Sequence, residues 1–244
     1  MSTVAYITTR GLFGRRRALL LLPLPLLLVG LALLVRAYDV PAAEWGAPVL
    51  VGLGLAVLLP VTSLIVGTGV LGSEVDDGTI VHILTKPMPR RDIILAKLGV
   101  AVLVTAVTCA VPLFIAGWLA SSWKLGAGLA VGAAVGACAY SAFFLLLSLL
   151  TRRPVLLGLV YILIWEGLLG RFVSGTRVLS IEQYVLTITD KVAPTDLLTG
   201  NVSLPVAIVM SVLITVGCIT LYQHYTLIIL IAYSNFLLVG TNRR

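Results

Sequence analysis

Six stretches of this chain are apolar for longer than a soluble helix tolerates, and they leave little room for any other fold class. Residues at about 18–36, 47–71, 93–118, 127–150, 155–171 and 204–222 are almost free of charge. A helix rises about 1.5 Å per residue, so some 20 apolar residues cross the roughly 30 Å hydrocarbon core of a bilayer. Inside hydrocarbon every backbone N–H and C=O must find a partner within the protein, which selects helices here. Composition points the same way: a chain of 244 residues with 59% hydrophobic residues, 11% charged residues and a mean hydropathy of +1.10 cannot hide its apolar surface from water. The expectation is an all-α integral membrane protein of one domain, 1–244, with six transmembrane helices. The first run is long and no small-residue cleavage site follows it cleanly, so it reads as a permanent helix and not as a signal peptide.

Charge orients the spans. In a six-span arrangement Arg10, Arg15, Arg16, Arg17, Lys86, Arg90, Arg91, Lys97, Arg152, Arg153, Arg243 and Arg244 fall on one side, against Arg36, Lys124, Arg171, Arg177 and Lys191 on the other. Twelve against five places both termini in the cytoplasm by the positive-inside rule. The net charge of +7 therefore reads as topology and contact with anionic lipid, not as a nucleic-acid footprint.

Local pattern adds detail. Residues 1–17 carry Val4, Tyr6, Ile7, Leu12 and Phe13 among polar and basic neighbours, which suits either an amphipathic segment on the inner leaflet or a solvated basic tail. Pro23 and Pro25 predict a kink in the first span. Gly128, Gly132 and Gly136 recur at four-residue spacing, so another helix can approach closely along that stripe, although small residues are common in membrane helices anyway. Between the fifth and sixth spans, Ile181, Tyr184, Val185 and Ile188 predict a short amphipathic helix at the outer interface, ended by Pro194 and Thr199-Gly200-Asn201. Residues 204–240 are apolar almost throughout, about 55 Å if helical, so a break near Tyr222 to His224 is expected, with the tail 223–244 turning back along the cytoplasmic face.

The chemistry that is missing is informative. The chain has no Gly-rich phosphate loop ending in Gly-Lys-Ser/Thr, no His-Glu-x-x-His and no paired cysteines at metal-ligand spacing, so it is not expected to hydrolyse ATP or hold a metal. His82 and His224 are isolated, and Cys109, Cys138 and Cys218 sit inside apolar runs as small packing residues. Glu166 is the one acid well inside a predicted span, where a carboxylate is costly unless paired, protonated or facing water. It is either part of a translocation pathway or one half of a structural ion pair with Arg171 or Arg36.

The remaining polar interruption, Glu74 to Lys97, joins the second and third spans. Acids ahead of Ile80-Val81-His82-Ile83-Leu84 favour a helix start near Asp77, Lys86-Pro87-Met88-Pro89 ends it, and Asp92 can cap the next span. The order Glu74, Gly78-Thr79-Ile80, Leu84, Pro87, Arg90 or Arg91, and Lys97 resembles the loop of the permease subunits of type-2 ABC exporters. The layout around it is similar too, down to Trp165-Glu166 in the fifth span, but the long tail after Tyr222 departs from the pattern.

This resemblance implies an N-terminal elbow helix over 1–17, a cytoplasmic coupling helix between spans 2 and 3, and short outer re-entrant or interfacial helices between spans 5 and 6. It also implies that Glu74, Asp77, Gly78, Thr79, His82, Lys86, Pro87, Arg90 and Arg91 contact or position a partner. That partner is an ATP-binding cassette ATPase, two copies per complex, which carries the ATP and Mg; a second permease chain, identical or related, completes the pathway. The implied function is export of a lipid, drug or peptide across a prokaryotic cell membrane. An ion-coupled transporter or channel built on Glu166, and a non-transporting assembly or immunity subunit, are the competing readings.

Overall fold

The computed structural model describes residues 20–76, 90–170, 179–195, 197–200 and 202–241, and of residues 71–76, 90–94 and 226–241 only the backbone. Among the described residues the chain is helical, with no strand. Helix α1 is Pro23–Ala37. Helix α2 runs without a break through Ala42–Gly46, a π-helical stretch Ala47–Leu58, and Leu59–Asp76. Then come α3 (Arg90–Ala120), α4 (Trp123–Leu150), and α5, which is Pro154–Val160 continued by a second π-helical stretch, Tyr161–Leu169. Helices α6 (Ile181–Val192) and α7 (Leu204–Thr241) complete the chain.

Among the described residues four helices are long and apolar enough to cross a membrane: Ala42–Val70, Leu95–Ala120, Trp123–Leu150 and Leu204–Tyr225. They coincide with the expected second, third, fourth and sixth spans. The first and fifth expected spans are the shorter apolar helices Pro23–Ala37 and Pro154–Leu169. Backbone chemistry sets the limits of α1. Pro23 and Pro25 do not kink a helix, as the sequence suggested, but occupy its first turn, where a missing N–H costs no hydrogen bond; the helical trace breaks just ahead of them at Leu22. At the other end Asp39 takes a left-handed conformation, φ 52°, its N–H donating to Arg36 O at 3.2 Å while Val40 N–H donates to Val35 O at 3.3 Å. That is the paired-bond stop usually made with glycine.

Helix α4 is the centre of the bundle, packing against α2, α3, α6 and α7, while α1 covers α3 and the π-helical part of α2. Lipid is as apolar as leucine, so association rests on close contact and on polar pairs. Gly54 shows the first: a Cβ added there would sit 2.6 Å from Leu113 Cδ2, so the missing side chain admits α3. Thr62 shows the second. Its hydroxyl reaches Leu58 O at 2.6 Å at the end of the π-helical stretch and pairs with Cys109 Sγ at 2.8 Å across to α3. Cys109 is thus a packing residue with a polar contact. One apolar cluster, including Leu50, Leu113, Leu129 and Tyr140, fills the middle of the bundle, and a second, including Leu21, Val70, Leu98, Leu145 and Tyr222, fills one end.

The expected break near Tyr222 is absent. Helix α7 is continuous over 38 residues, because its only proline, Pro205, lies in the first turn and neither Tyr222, Gln223 nor His224 interrupts a backbone ladder. Helix α3 already includes Arg90 and Arg91, so Asp92 lies within it and does not cap it.

Candidate functional site

The π-helical stretch of α5 brings together residues that an ordinary helix would separate. At 3.6 residues per turn, positions five apart point roughly 140° away from each other. The wider turn, in which Gly170 N–H donates to Trp165 O, lets the Tyr161 hydroxyl donate to Glu166 Oε1 at 3.0 Å. Glu166 is buried, 2% exposed. The same Oε1 accepts from the Tyr140 hydroxyl of α4 at 3.1 Å and from the backbone N–H of Ile181 at 3.0 Å, while Oε2 accepts from the Ser180 hydroxyl.

Four neutral donors from α4, α5 and the start of α6 therefore converge on one carboxylate. Among the described residues hydrogen bonds alone partner this buried carboxyl group, which sits at the N-terminus of α6. Trp165 secures the same segment, its Nε1–H donating to Leu179 O at 3.3 Å. Behind the carboxylate the two tyrosine rings sit in an aromatic cluster: Tyr140 stacks on Phe144 with centroids 6.1 Å apart, and Phe143 lies 4.5 Å from Tyr161. The rings fix where the hydroxyls point.

Helix α6 does not lie across the end of the bundle. Ile181 N–H at its start shares Glu166 Oε1 with Tyr140, midway along α4, and Ile181, Glu182, Tyr184, Val185, Thr187 and Thr189 are all buried. The polar face that suggested an interface is turned inward. Thr187 and Thr189 donate to Gln183 O and Val185 O, each at 2.8 Å, and Gly200 N–H donates to Asp190 Oδ2 at 3.3 Å.

The glycine stripe of α4 is the seat of α6. A Cβ on Gly128 would lie 2.7 Å from Ala193 Cβ, one on Gly132 would overlap Thr189 Oγ1, and one on Gly136 would lie 2.7 Å from Val185 Cγ2. On its other side α6 borders a cleft of about 380 Å³, lined by Pro48 and Val51 of α2, by Glu182, Gln183 and Leu186, and by Leu197.

Of the site residues read from sequence, Glu166 gains this environment, and Arg171 lies outside the described residues. Glu74 falls in the last turn of α2, Arg90 and Arg91 open α3, and Asp77, Gly78, Thr79, His82, Lys86 and Pro87 lie outside the described residues, as does the segment 1–17. Tyr140, Tyr161 and Ser180 were not singled out. Ser180 carried a signal, since Ser followed three residues on by Gln183 is a capping-box pattern, and Gln183 N–H does donate to Ser180 Oγ at 3.4 Å. Tyr161 carried none, because its pairing with Glu166 depends on the wide turn.

Apolar helices that can cross a bilayer, gathered around a hydrogen-bonded carboxylate, define a multi-pass membrane protein. A family model described as ABC-2 family transporter protein matches residues 15–170, well over half of the chain, from the basic cluster ahead of α1 to the end of α5. The chain belongs to this family and is the permease component of an ABC transporter. No curated protein and no solved structure matches it.

Proposed function

We propose that this permease lines the pathway for export of a hydrophobic or amphipathic substrate, a lipid, drug or peptide, and is driven by a separate ATP-binding cassette subunit. The family match over 15–170 carries the reading. The lack of a phosphate-binding loop in the chain adds to it, since ATP and Mg must then be held by a partner. In this reading the protein has six spans, α1 and α5 included, with both termini on the cytoplasmic side of a prokaryotic cell membrane. Two ATPase copies and a second permease chain, identical or related, complete the complex.

The segment between α2 and α3 is the coupling element, with the segment 1–17 as the elbow beside it. Glu74, Asp77, Gly78, Thr79, His82, Lys86, Pro87, Arg90 and Arg91 dock the ATPase, whose closure around ATP turns the paired membrane halves outward. Support comes from the backbone on either side: α2 continues to Asp76 and α3 starts at Arg90, so a short segment is joined directly to two long membrane helices. A push on it is transmitted along both. Glu74→Lys or Asp77→Lys is expected to reduce recovery of the ATPase with the permease, or to uncouple its ATP turnover from transport in liposomes. Unchanged recovery together with unchanged coupled turnover rejects the assignment.

A further inference from the structure

Helix α6 is held in two unlike ways. Its N-terminal end is held by polar bonds to Glu166 and Trp165 of α5. Its length rests on α4 through Gly128, Gly132 and Gly136, and on α7 through Tyr184 and Ile188, which cluster with Ala207, all by close packing. It carries Glu182, Gln183, Thr187 and Thr189 into a bundle otherwise built from apolar helices, and the cleft of about 380 Å³ beside it leaves room on the α2 side. Its bonds to α5 lie at one end, so their loss frees that end first and weakens the hold on the rest of the helix.

We propose that Glu166 is the positioning residue that holds α6 against α4, and that release of α6 at this carboxylate is a step of the transport cycle. The cycle step rests on the permease reading above; the positioning role does not. The carboxylate suits the task because both of its oxygens only accept, matching four donors at once. Glutamine keeps the shape but offers one accepting oxygen and an NH2 that meets donors. The Ile181 N–H belongs to the backbone and cannot turn away.

The test is a disulfide across the seam. In a background lacking the native Cys109, Cys138 and Cys218, Gly128→Cys and Ala193→Cys put two thiols where the Cβ atoms would be 2.7 Å apart, so a shift of about 1 Å gives disulfide spacing. The pair is expected to cross-link efficiently with Glu166 in place. Glu166→Gln is expected to lower the yield about tenfold, the equilibrium shift from losing one hydrogen bond to a charged acceptor, and Ser180→Ala, which keeps the three bonds to Oε1 but removes the Oε2 bond and the cap bond from Gln183 N–H, to lower it less.

Cross-link yields unaffected by either change, in protein that remains monodisperse and helical, overturn the positioning role. In the assembled transporter, ATP with vanadate is expected to lower the yield several-fold; a yield that ignores ATP while the complex hydrolyses it overturns the cycle step. Absence of any ATP hydrolysis by the purified complex counts instead against the permease reading, and leaves the positioning result standing.

Discussion

Four donors around one carboxylate set what Glu166 is worth to the fold. Glu166→Ala leaves the hydroxyls of Tyr140, Tyr161 and Ser180 and the N–H of Ile181 without their acceptor. Hydroxyls can turn towards other carbonyls, but the amide cannot, so a loss of about 2–4 kcal/mol is expected, read as a lower melting temperature in detergent. A loss under about 0.5 kcal/mol, the range of ordinary surface changes, would show that the donors find other partners. The glycines of α4 give a sharper contrast. Gly132→Ala places a methyl group on Thr189 Oγ1 and is expected to cost about 1–3 kcal/mol, whereas Gly30→Ala in α1, with nothing within 4 Å of the new atom, is expected to be neutral or stabilising by up to about 1 kcal/mol. Equal effects of the two would mean that α6 does not rest on the stripe.

Elements were legible where apolar length decides and obscure where capping or tertiary contact does. The four longest helices could be read from runs of uncharged residues, because a bilayer and a helix rise fix that length together. Helix ends answer to backbone chemistry, and there hydropathy misled: α1 starts at its prolines, and α7 continues past Tyr222 until Gly240 and Thr241. Helix α6 is the clearest case. Its apolar spacing predicted a helix, and one is present, but an amphipathic pattern says only that two faces differ; that Glu166 and the α4 glycines would take it into the bundle depends on residues far away in sequence. The stop after α1 offers a local check. Because Asp39 sits at φ 52°, Asp39→Gly is expected to stabilise by about 0.5–1 kcal/mol and Asp39→Val to destabilise by about 1–2 kcal/mol, measured by thermal unfolding. The reverse order would contradict a left-handed stop at that residue.

Across the whole molecule, the apolar cluster at one end ties the helices into a common orientation. Leu21 ahead of α1, Val70 of α2, Leu98 of α3, Leu145 of α4 and Tyr222 of α7 all meet there. Of the described chain beyond these residues, the end of α2 with Glu74, the start of α3 with Arg90 and Arg91, Arg152 and Arg153 after α4, and the part of α7 past Tyr222 lie towards the same end. In the proposed orientation this end, with Arg90, Arg91, Arg152 and Arg153, faces the cytoplasm, as the positive-inside rule expects. Helix α7 has 38 residues, about 57 Å, and the hydrocarbon core is roughly 30 Å thick, so the helix overshoots the bilayer. Tyr222 lies in that end cluster, so the part of α7 that follows it extends past the bundle at this end, alongside the segment proposed to meet the ATPase. A fluorescent protein fused after Arg244 is accordingly expected to mature in the cytoplasm, and an alkaline phosphatase fused at the same place to stay inactive. An active phosphatase fusion would put the end of α7 outside, which requires either a second crossing after Tyr225 or an inverted bundle. A second phosphatase fusion, within residues 77–89, separates these: activity there inverts the whole bundle, and silence there confines the error to α7.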